Sequence, residues 1–252
     1  MLRVARGLAA VGLVALAAGL HHMPGATPDR TEEAPGRAGE ASRVVERASR
    51  DAGQVADGLP IVLPVDEAAR EPAFFAFRAR LERAIARRDT AGLLAAVHPE
   101  IGLSFGPDPG GSEAFRAEWL EGAGDIWAEL GAVLALGGRF QNDSTFVAPY
   151  TFTDAPDDVD PFQALIALDE AVPVFAAPGS GPDTLAVLSF QTVRHEWRPS
   201  VASAPAGWVA VRLPDGSLGF VESDAVRSPL DYRAIFTRTG GRWWMTVFIA
   251  GD

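Results

Sequence analysis

The sequence predicts an α+β fold in which helices and a few strands precede a unit of short strands, and a β-hairpin ends the chain. Apolar residues recur at helical spacing from Phe74, short strands separated by turns dominate after Asp154, and the last strand is apolar on both faces. The 6 Trp, 2 Tyr and 14 Phe residues all lie at or beyond Phe74. We therefore expect the hydrophobic core in that part of the chain.

The N-terminal segment has the pattern of a secretory signal peptide. Arg3 and Arg6 precede an uncharged apolar run over residues 8–20, whereas a membrane-spanning helix needs about 20 apolar residues. We expect residues 1–24 to be a signal peptide, the protein to be periplasmic or secreted, and no membrane span to remain after cleavage. An uncleaved anchor is the alternative. The chain has no cysteine, so its fold must be stable without disulfides.

Residues 25–72 are rich in Pro, Gly, Ala, Ser, Glu and Arg. A segment of this composition buries too little apolar surface to offset the entropy of ordering it. The sequence therefore predicts a disordered linker that ends where the aromatic residues begin.

The charge balance excludes some classes of partner. Lys+Arg number 22 against 33 Asp+Glu, which gives a formal net charge of -11. Nucleic-acid binding requires a basic face for the phosphates, and docking on anionic lipid requires a basic patch. We expect no nucleic-acid partner; no pattern in the sequence indicates an oligomeric state.

Residues 73–160 are predicted to form the α+β domain. An amphipathic helix starts at Phe74, and Asp89 is placed to cap a second short helix. Ser112 and Asp125 are predicted to cap two further helices. Extended segments are expected at residues 101–105 and 140–152, before an acidic loop over residues 154–160.

Residues 165–227 contain five features that follow one another in a characteristic order. They are a strand that ends in a Pro/Ser loop, a Leu-to-Val strand, a Gly-Trp strand, an Asp-Gly turn and a Gly-aromatic-Val strand, at residues 172–180, 188–193, 207–211, 215–216 and 219–221. Over residues 171–227 this order resembles the bacterial SH3-type (Src homology 3) barrel. The resemblance implies a small all-β SH3-like barrel at residues 165–227, with a middle loop that is longer than usual.

The C-terminus also resembles that of exported bacterial SH3 domain-containing proteins, an uncharacterised family. The shared features are residues 231–236, the Gly240-Gly241 turn and the Trp-rich last strand from Arg242. A strand that is apolar on both faces must be covered on both faces. We therefore expect the hairpin of residues 228–252 to pack on residues 73–160, with the barrel inserted between them.

No catalytic, cofactor-binding or metal-binding motif is found. His98 precedes a proline at a helix end, and His195 with Glu196 falls short of the three or four ligands of a zinc site. The acidic loop lacks the spacing of a calcium loop, and no Gly-x-Ser-x-Gly or P-loop pattern occurs. The sequence does not decide whether the protein is an enzyme, although a non-catalytic role is favoured.

The first functional hypothesis is an exported, non-catalytic binding or scaffold protein. Its SH3-like barrel would engage peptide or cell-wall material such as peptidoglycan, because aromatic side chains on a barrel can dock extended ligands. Trp197 and Trp208 are the expected contacts, with Phe220 on the neighbouring strand. The alternative is that Trp208 belongs to the barrel core.

The second hypothesis is a cradle formed by residues 73–160 and 228–252 that holds a small ligand or an active site. The nuclear-transport-factor-like fold is an example of such a cradle. The candidates at its mouth are Tyr150, Tyr232 and, beside Tyr232, Asp231 and Arg233. The alternative is that the tyrosines belong to the core and the charged residues to the surface.

Overall fold

The chain has an α+β fold with two sheets, and the predicted class is confirmed. The computed structural model describes residues 58–106, 110–179, 183–198 and 204–251. The predicted signal peptide and the predicted linker before residue 58 lie outside these described residues. None of the described helices is long and apolar enough to cross a bilayer.

The described residues form five α-helices, two 3-10 helices and thirteen strands. The α-helices are α1 (Pro72–Arg87), α2 (Thr90–Leu94), α3 (Ser112–Trp119), α4 (Ile126–Ala135) and α5 (Tyr150–Thr153), and the 3-10 helices are Ala68–Arg70 and Pro161–Gln163. The strands are β1 (Val65–Asp66), β2 (Val97–Gly102), β3 (Gly137–Asn142), β4 (Thr145–Ala148), β5 (Ala164–Ala167), β6 (Val172–Phe175), β7 (Thr184–Leu188), β8 (Thr192–His195), β9 (Trp208–Arg212), β10 (Leu218–Glu222), β11 (Val226–Arg227), β12 (Arg233–Thr239) and β13 (Arg242–Ile249).

Local capping explains where the first helices begin and end. The Glu71 carboxylate accepts a hydrogen bond from the amide of Phe74, and Pro72 occupies the first turn of α1, where its missing N–H costs nothing. Helix α1 ends at Arg87, and the next residue, Arg88, caps it in a left-handed conformation. Asp89 caps α2 through the Gly92 amide at 3.1 Å, as the sequence predicted.

Of the two caps predicted for the later helices, one is confirmed and one is wrong. Asp125 caps α4, since its side chain accepts a hydrogen bond from the amide of Ala128 at 3.3 Å. Ser112 was predicted to cap α3 but is its first helical residue. The cap is Gly111, whose φ of 95° favours glycine.

The six-stranded sheet has the order β1-β3-β4-β12-β13-β2. The C-terminal hairpin turns at Gly240 and Gly241, which both have positive φ as tight hairpins require. Strand β12 pairs antiparallel with β4, and β13 pairs parallel with β2. The last two strands of the chain therefore lie inside the sheet, between strands that precede them by many residues.

Helices α1, α3 and α4 cover this sheet around one hydrophobic core. The Phe74 ring is fully buried and lies 4.3 Å from Phe146 and 4.9 Å from Trp243 between ring centroids. Aromatic pairs in such geometries contribute roughly 0.5–1.5 kcal/mol beyond the area they bury. The aromatic residues thus join α1 to strands from both ends of the domain.

The second sheet has seven antiparallel strands in the order β11-β5-β8-β9-β10-β6-β7. Most of its strands fall where the sequence predicted strands. The SH3-like barrel is not confirmed, because this sheet does not close. Among the described strands, the edge strand β11 pairs only with β5 and the edge strand β7 only with β6.

The predicted boundary of the linker at residue 72 is wrong, because residues 58–72 belong to the fold. Both sheets lie in one compact unit. The amide of Val62 donates to the carbonyl of Phe190 at 2.7 Å beside the second sheet, while β1 pairs with β3 in the first. Val62 packs with Tyr150 and Ile166 in a small cluster between the sheets. Residues 60–66 thus contact both sheets, and we call this segment the strap.

Replacing Val62 with Ala tests the role of the strap. Val62 is 2% exposed and Leu63 is 63% exposed, so the two neighbours form a matched pair. We expect Val62→Ala to lower the free energy of unfolding by about 2 kcal/mol and Leu63→Ala to change it by less than about 0.5 kcal/mol. Urea denaturation measures both; equal effects would mean that the strap is not part of the core.

Candidate functional site

The seven-stranded sheet carries an aromatic cluster that includes two of the predicted contacts. Trp208 on β9 lies edge-on to Phe175 on β6, with 5.7 Å between ring centroids. Phe220 on β10 pairs with Ala210 on one side and Phe175 on the other. Trp208 and Phe175 are partly buried, whereas Phe220 is 9% exposed. Trp208 and Phe220 therefore share a face, on which Phe220 is mainly a packing residue.

Phe175 completes this cluster and was missed as a site residue. The signal was present, since Val172 and Val174 alternate with Pro173 and Phe175 along β6. Because alternate side chains of a strand point to opposite faces, Phe175 had to lie on the face opposite to the core valines.

Trp197, the other predicted contact, lies apart from the cluster. It follows β8 by two residues and is 64% exposed. Within the described part of the chain, its ring forms no aromatic pair with Trp208 or Phe220. The structure therefore places one open indole ring at the end of β8 and a half-covered one on β9.

An ion pair holds the end of β8, next to Trp197. The Oε2 atom of Glu196 accepts hydrogen bonds from Nε and Nη2 of Arg212 at 3.1 and 3.0 Å. The Glu196 amide donates to the carbonyl of Ala210 at 2.8 Å, and Arg212 also reaches the carbonyl of Gly216 at 2.7 Å. The backbone that carries Trp197 is thereby tied to β9 and to the following turn.

The electrostatics around Glu196 favour its charged form. Burial raises the pKa of the Glu196 carboxyl, but hydrogen bonds from Arg212 and from the Arg198 amide outweigh this effect and leave the pKa below its ordinary value. Burial lowers the pKa of His195, and the nearby Glu196 charge opposes it only in part. The pKa of His195 therefore lies below its ordinary value, next to a carboxyl whose pKa is also lowered.

The candidates for a cradle mouth lie in different surroundings. Tyr150 is 1% exposed in the cluster between the sheets, and burial raises its pKa. Tyr232 stacks on Phe248 with 5.1 Å between ring centroids. Arg233 is 5% exposed, and its guanidinium lies 4.5 Å from the centroid of Phe152. The two tyrosine rings pack in separate hydrophobic clusters.

Asp231 and His98 also have structural contacts. Asp231 forms an ion pair with Arg227 at 3.5 Å. His98 packs edge-on against Trp244 at 5.6 Å, and its Nδ1 atom accepts a hydrogen bond from the Glu100 amide at 3.1 Å. Among the described residues, no group of three or more His, Asp or Glu side chains could hold a metal ion.

The acidic loop is used in part to hold the fold. Asp154 accepts a hydrogen bond from Nε of Arg139 at 2.6 Å, and Asp160 caps the 3-10 helix through the amide of Phe162 at 3.0 Å.

Comparisons of the chain with protein-family models, with curated proteins and with solved structures found no match. The chemistry of these surfaces is therefore the only guide to function.

The Glu196–Arg212 pair predicts a pH dependence of stability. A carboxyl whose pKa is lowered on folding stabilises the protein above its ordinary pKa of 4.5, and the effect is lost as the pH falls through the lowered value. We expect Glu196→Gln to be less stable than the wild type at pH 7, with the difference shrinking below about pH 4.5.

Thermal unfolding between pH 3 and pH 7 measures this difference. Glu222→Gln is the control, because Glu222 is exposed and forms no ion pair with the described residues. A gap between the wild type and Glu196→Gln that stays constant with pH would contradict the assignment.

Proposed function

We propose that this chain is an exported, non-catalytic binding or scaffold protein whose seven-stranded sheet engages peptide-bearing cell-wall material. The observation that carries the proposal is Trp197, an indole ring that is 64% exposed at the end of a strand. Trp208, partly buried against Phe175, is the second contact surface.

An exposed tryptophan on a fixed backbone is suited to binding. Tryptophan supplies a large apolar area with only two side-chain torsions to order, and it is enriched among the residues that dominate binding energies. Glu196 and Arg212 hold the adjacent backbone, so little of the binding energy is lost in ordering it. Exported material of mixed sugar and peptide character offers flat apolar faces to such a ring.

The charge of the surroundings supports a ligand that is not a nucleic acid. The whole chain has a formal net charge of -11, which disfavours binding to a polyphosphate backbone. Arg198, exposed directly after Trp197, offers a local donor for the carboxylates of peptide stems. Peptidoglycan contains both sugar rings and such carboxylates, so it matches a Trp-Arg pair.

The cradle hypothesis receives no comparable support. Large buried side chains, among them Phe74, Phe115 and Phe146, fill the space between the helices and the six-stranded sheet. A ligand there would have to displace them from a close-packed interior. We therefore propose a binding protein in preference to a cradle-type enzyme.

Co-sedimentation with purified peptidoglycan tests the proposal. We expect the wild type to sediment with the polymer and Trp197→Ala to bind about tenfold more weakly, as loss of a central aromatic contact does. Phe162→Ala is the matched control, since Phe162 is 63% exposed but lies outside the seven-stranded sheet.

Two further ligands separate the versions of the proposal. Glycan strands freed of peptide stems and isolated stem peptides are each used as competitors, and competition by the stem peptides is expected. No retention of the wild type, or equal losses for Trp197→Ala and Phe162→Ala, would overturn the cell-wall assignment.

A further inference from the structure

A groove lined by arginines runs along α1 in the α+β domain that contains the six-stranded sheet. Its volume is about 470 Å³, within the roughly 300–1,000 Å³ of small-ligand sites. One wall is α1 with Arg80, Arg83 and Arg87, and the opposite wall includes Ala95 and Trp243. The groove therefore combines a cationic wall with an apolar one.

The charge of the groove opposes the charge of the chain. The chain as a whole has an excess of acidic residues, with a formal net charge of -11. Among the described residues that line the groove, Asp89 provides the one carboxylate, and its Oδ1 atom already accepts a hydrogen bond from the Gly92 amide. With Arg80, Arg83, Arg87 and Arg242 against this one carboxylate, the described lining of the groove has a net positive charge.

The other side of α1 shows that pairing was available to this helix. Arg78 binds Glu82 one turn later at 3.0 Å and Asp66 of β1 at 2.6 Å. The exposed residues Arg80, Arg83 and Arg87 form no ion pair with any described carboxylate. At spacings of three and four residues their like charges destabilise a helix by a few tenths of a kcal/mol per pair. A helix face whose charges served only solubility would carry both acidic and basic side chains.

A fourth arginine is fixed at the end of the groove. Arg242, at the start of β13, donates a hydrogen bond from Nη2 to the carbonyl of Ala95, and its guanidinium lies 3.9 Å from the centroid of the Trp244 ring. Arg242 and Ala95 also line a neighbouring groove of about 590 Å³ that contains Arg116. Glu113 also lines this second groove, so the arginine-lined surface continues past Arg242 with one carboxylate in it, and its length suits an extended ligand.

We propose that the groove lined by Arg80, Arg83, Arg87 and Arg242 binds an extended acidic peptide segment of a partner protein. Side chains three or four residues apart on a helix are about 5–6 Å apart, and alternate residues of an extended peptide are roughly 6.6 Å apart. Glutamates at alternate positions therefore match successive arginines of α1. The residues between them face the opposite wall at the exposed Ala95, where small apolar side chains fit. Guanidinium groups bind carboxylates with paired hydrogen bonds.

Fluorescence anisotropy with a labelled peptide of alternating Glu and Leu tests the site on the full chain. We expect Arg80→Gln/Arg83→Gln to weaken binding at least about tenfold, as loss of two charge-assisted contacts does. Binding should also fall steeply at about 1 M salt, where charges are screened beyond about 3 Å. Arg194→Gln removes an exposed arginine of β8 and is expected to leave binding unchanged.

Controls on the fold and on the ligand make the result decisive. Gln is a good helix former, so the double variant is expected to unfold at the same or a higher temperature than the wild type, since a like-charge pair is relieved. A peptide with Gln in place of Glu is expected not to bind. Equal binding of the two peptides, or of the wild type and the double variant, would overturn the site. Tighter binding of tripolyphosphate than of the acidic peptide would overturn the peptide assignment.

The site is independent of the proposed cell-wall contact. Trp197→Ala is expected to bind the acidic peptide as the wild type does, and Arg80→Gln/Arg83→Gln is expected to sediment with peptidoglycan as the wild type does. Loss of both activities in either variant would contradict two separate sites.

Discussion

The pairing of β4 with β12 is the constraint on which the rest of the architecture depends. Ala148 at the end of β4 and Ala234 at the start of β12 are direct partners, although the whole seven-stranded sheet lies between them in sequence. The two ends of that inserted unit are therefore held side by side. This lets an all-β unit be added to the α+β domain without breaking its six-stranded sheet, and the strap then joins the two sheets from the N-terminal side.

Local signals in the sequence were sufficient for some elements and not for others. The spacing of Phe74 and its successors, and the caps at Asp89 and Asp125, depend on neighbouring residues and were predicted correctly. The cap at Gly111 depends on its positive φ, and the residue pattern around Gly110 and Gly111 does not reveal which residue adopts the capping conformation. Val62 lies between Ile61 and Leu63, which are equally apolar but exposed, so the sequence does not reveal which of the three is buried; that depends on residues far away in sequence.

The same distinction explains the inserted sheet and its candidate site. The strands and the Asp-Gly turn follow from local patterns, whereas the order of the seven strands depends on long-range pairings such as that of β5 with β8. That Trp208 and Phe220 lie on neighbouring strands could be predicted, but the different exposures of Trp197 and Trp208 could not. Tyr150 was expected at the mouth of a cradle but lies in the small cluster between the sheets, because Val62 of the strap packs against it. The arginine groove was not predicted, since its opposite wall comes from α2 and β13.

The position of the C-terminal hairpin also determines when the α+β domain can form. Strands β12 and β13 follow the other described elements in sequence, yet they occupy interior positions of the six-stranded sheet. A chain that emerges from its N-terminus onward has the helices and the outer strands first, without the two strands that complete their core. Such non-local pairings form late and slowly, because distant segments must meet before they gain any contact. The order of elements thus keeps the six-stranded sheet incomplete until β12 and β13 are available to pair with β4 and β2.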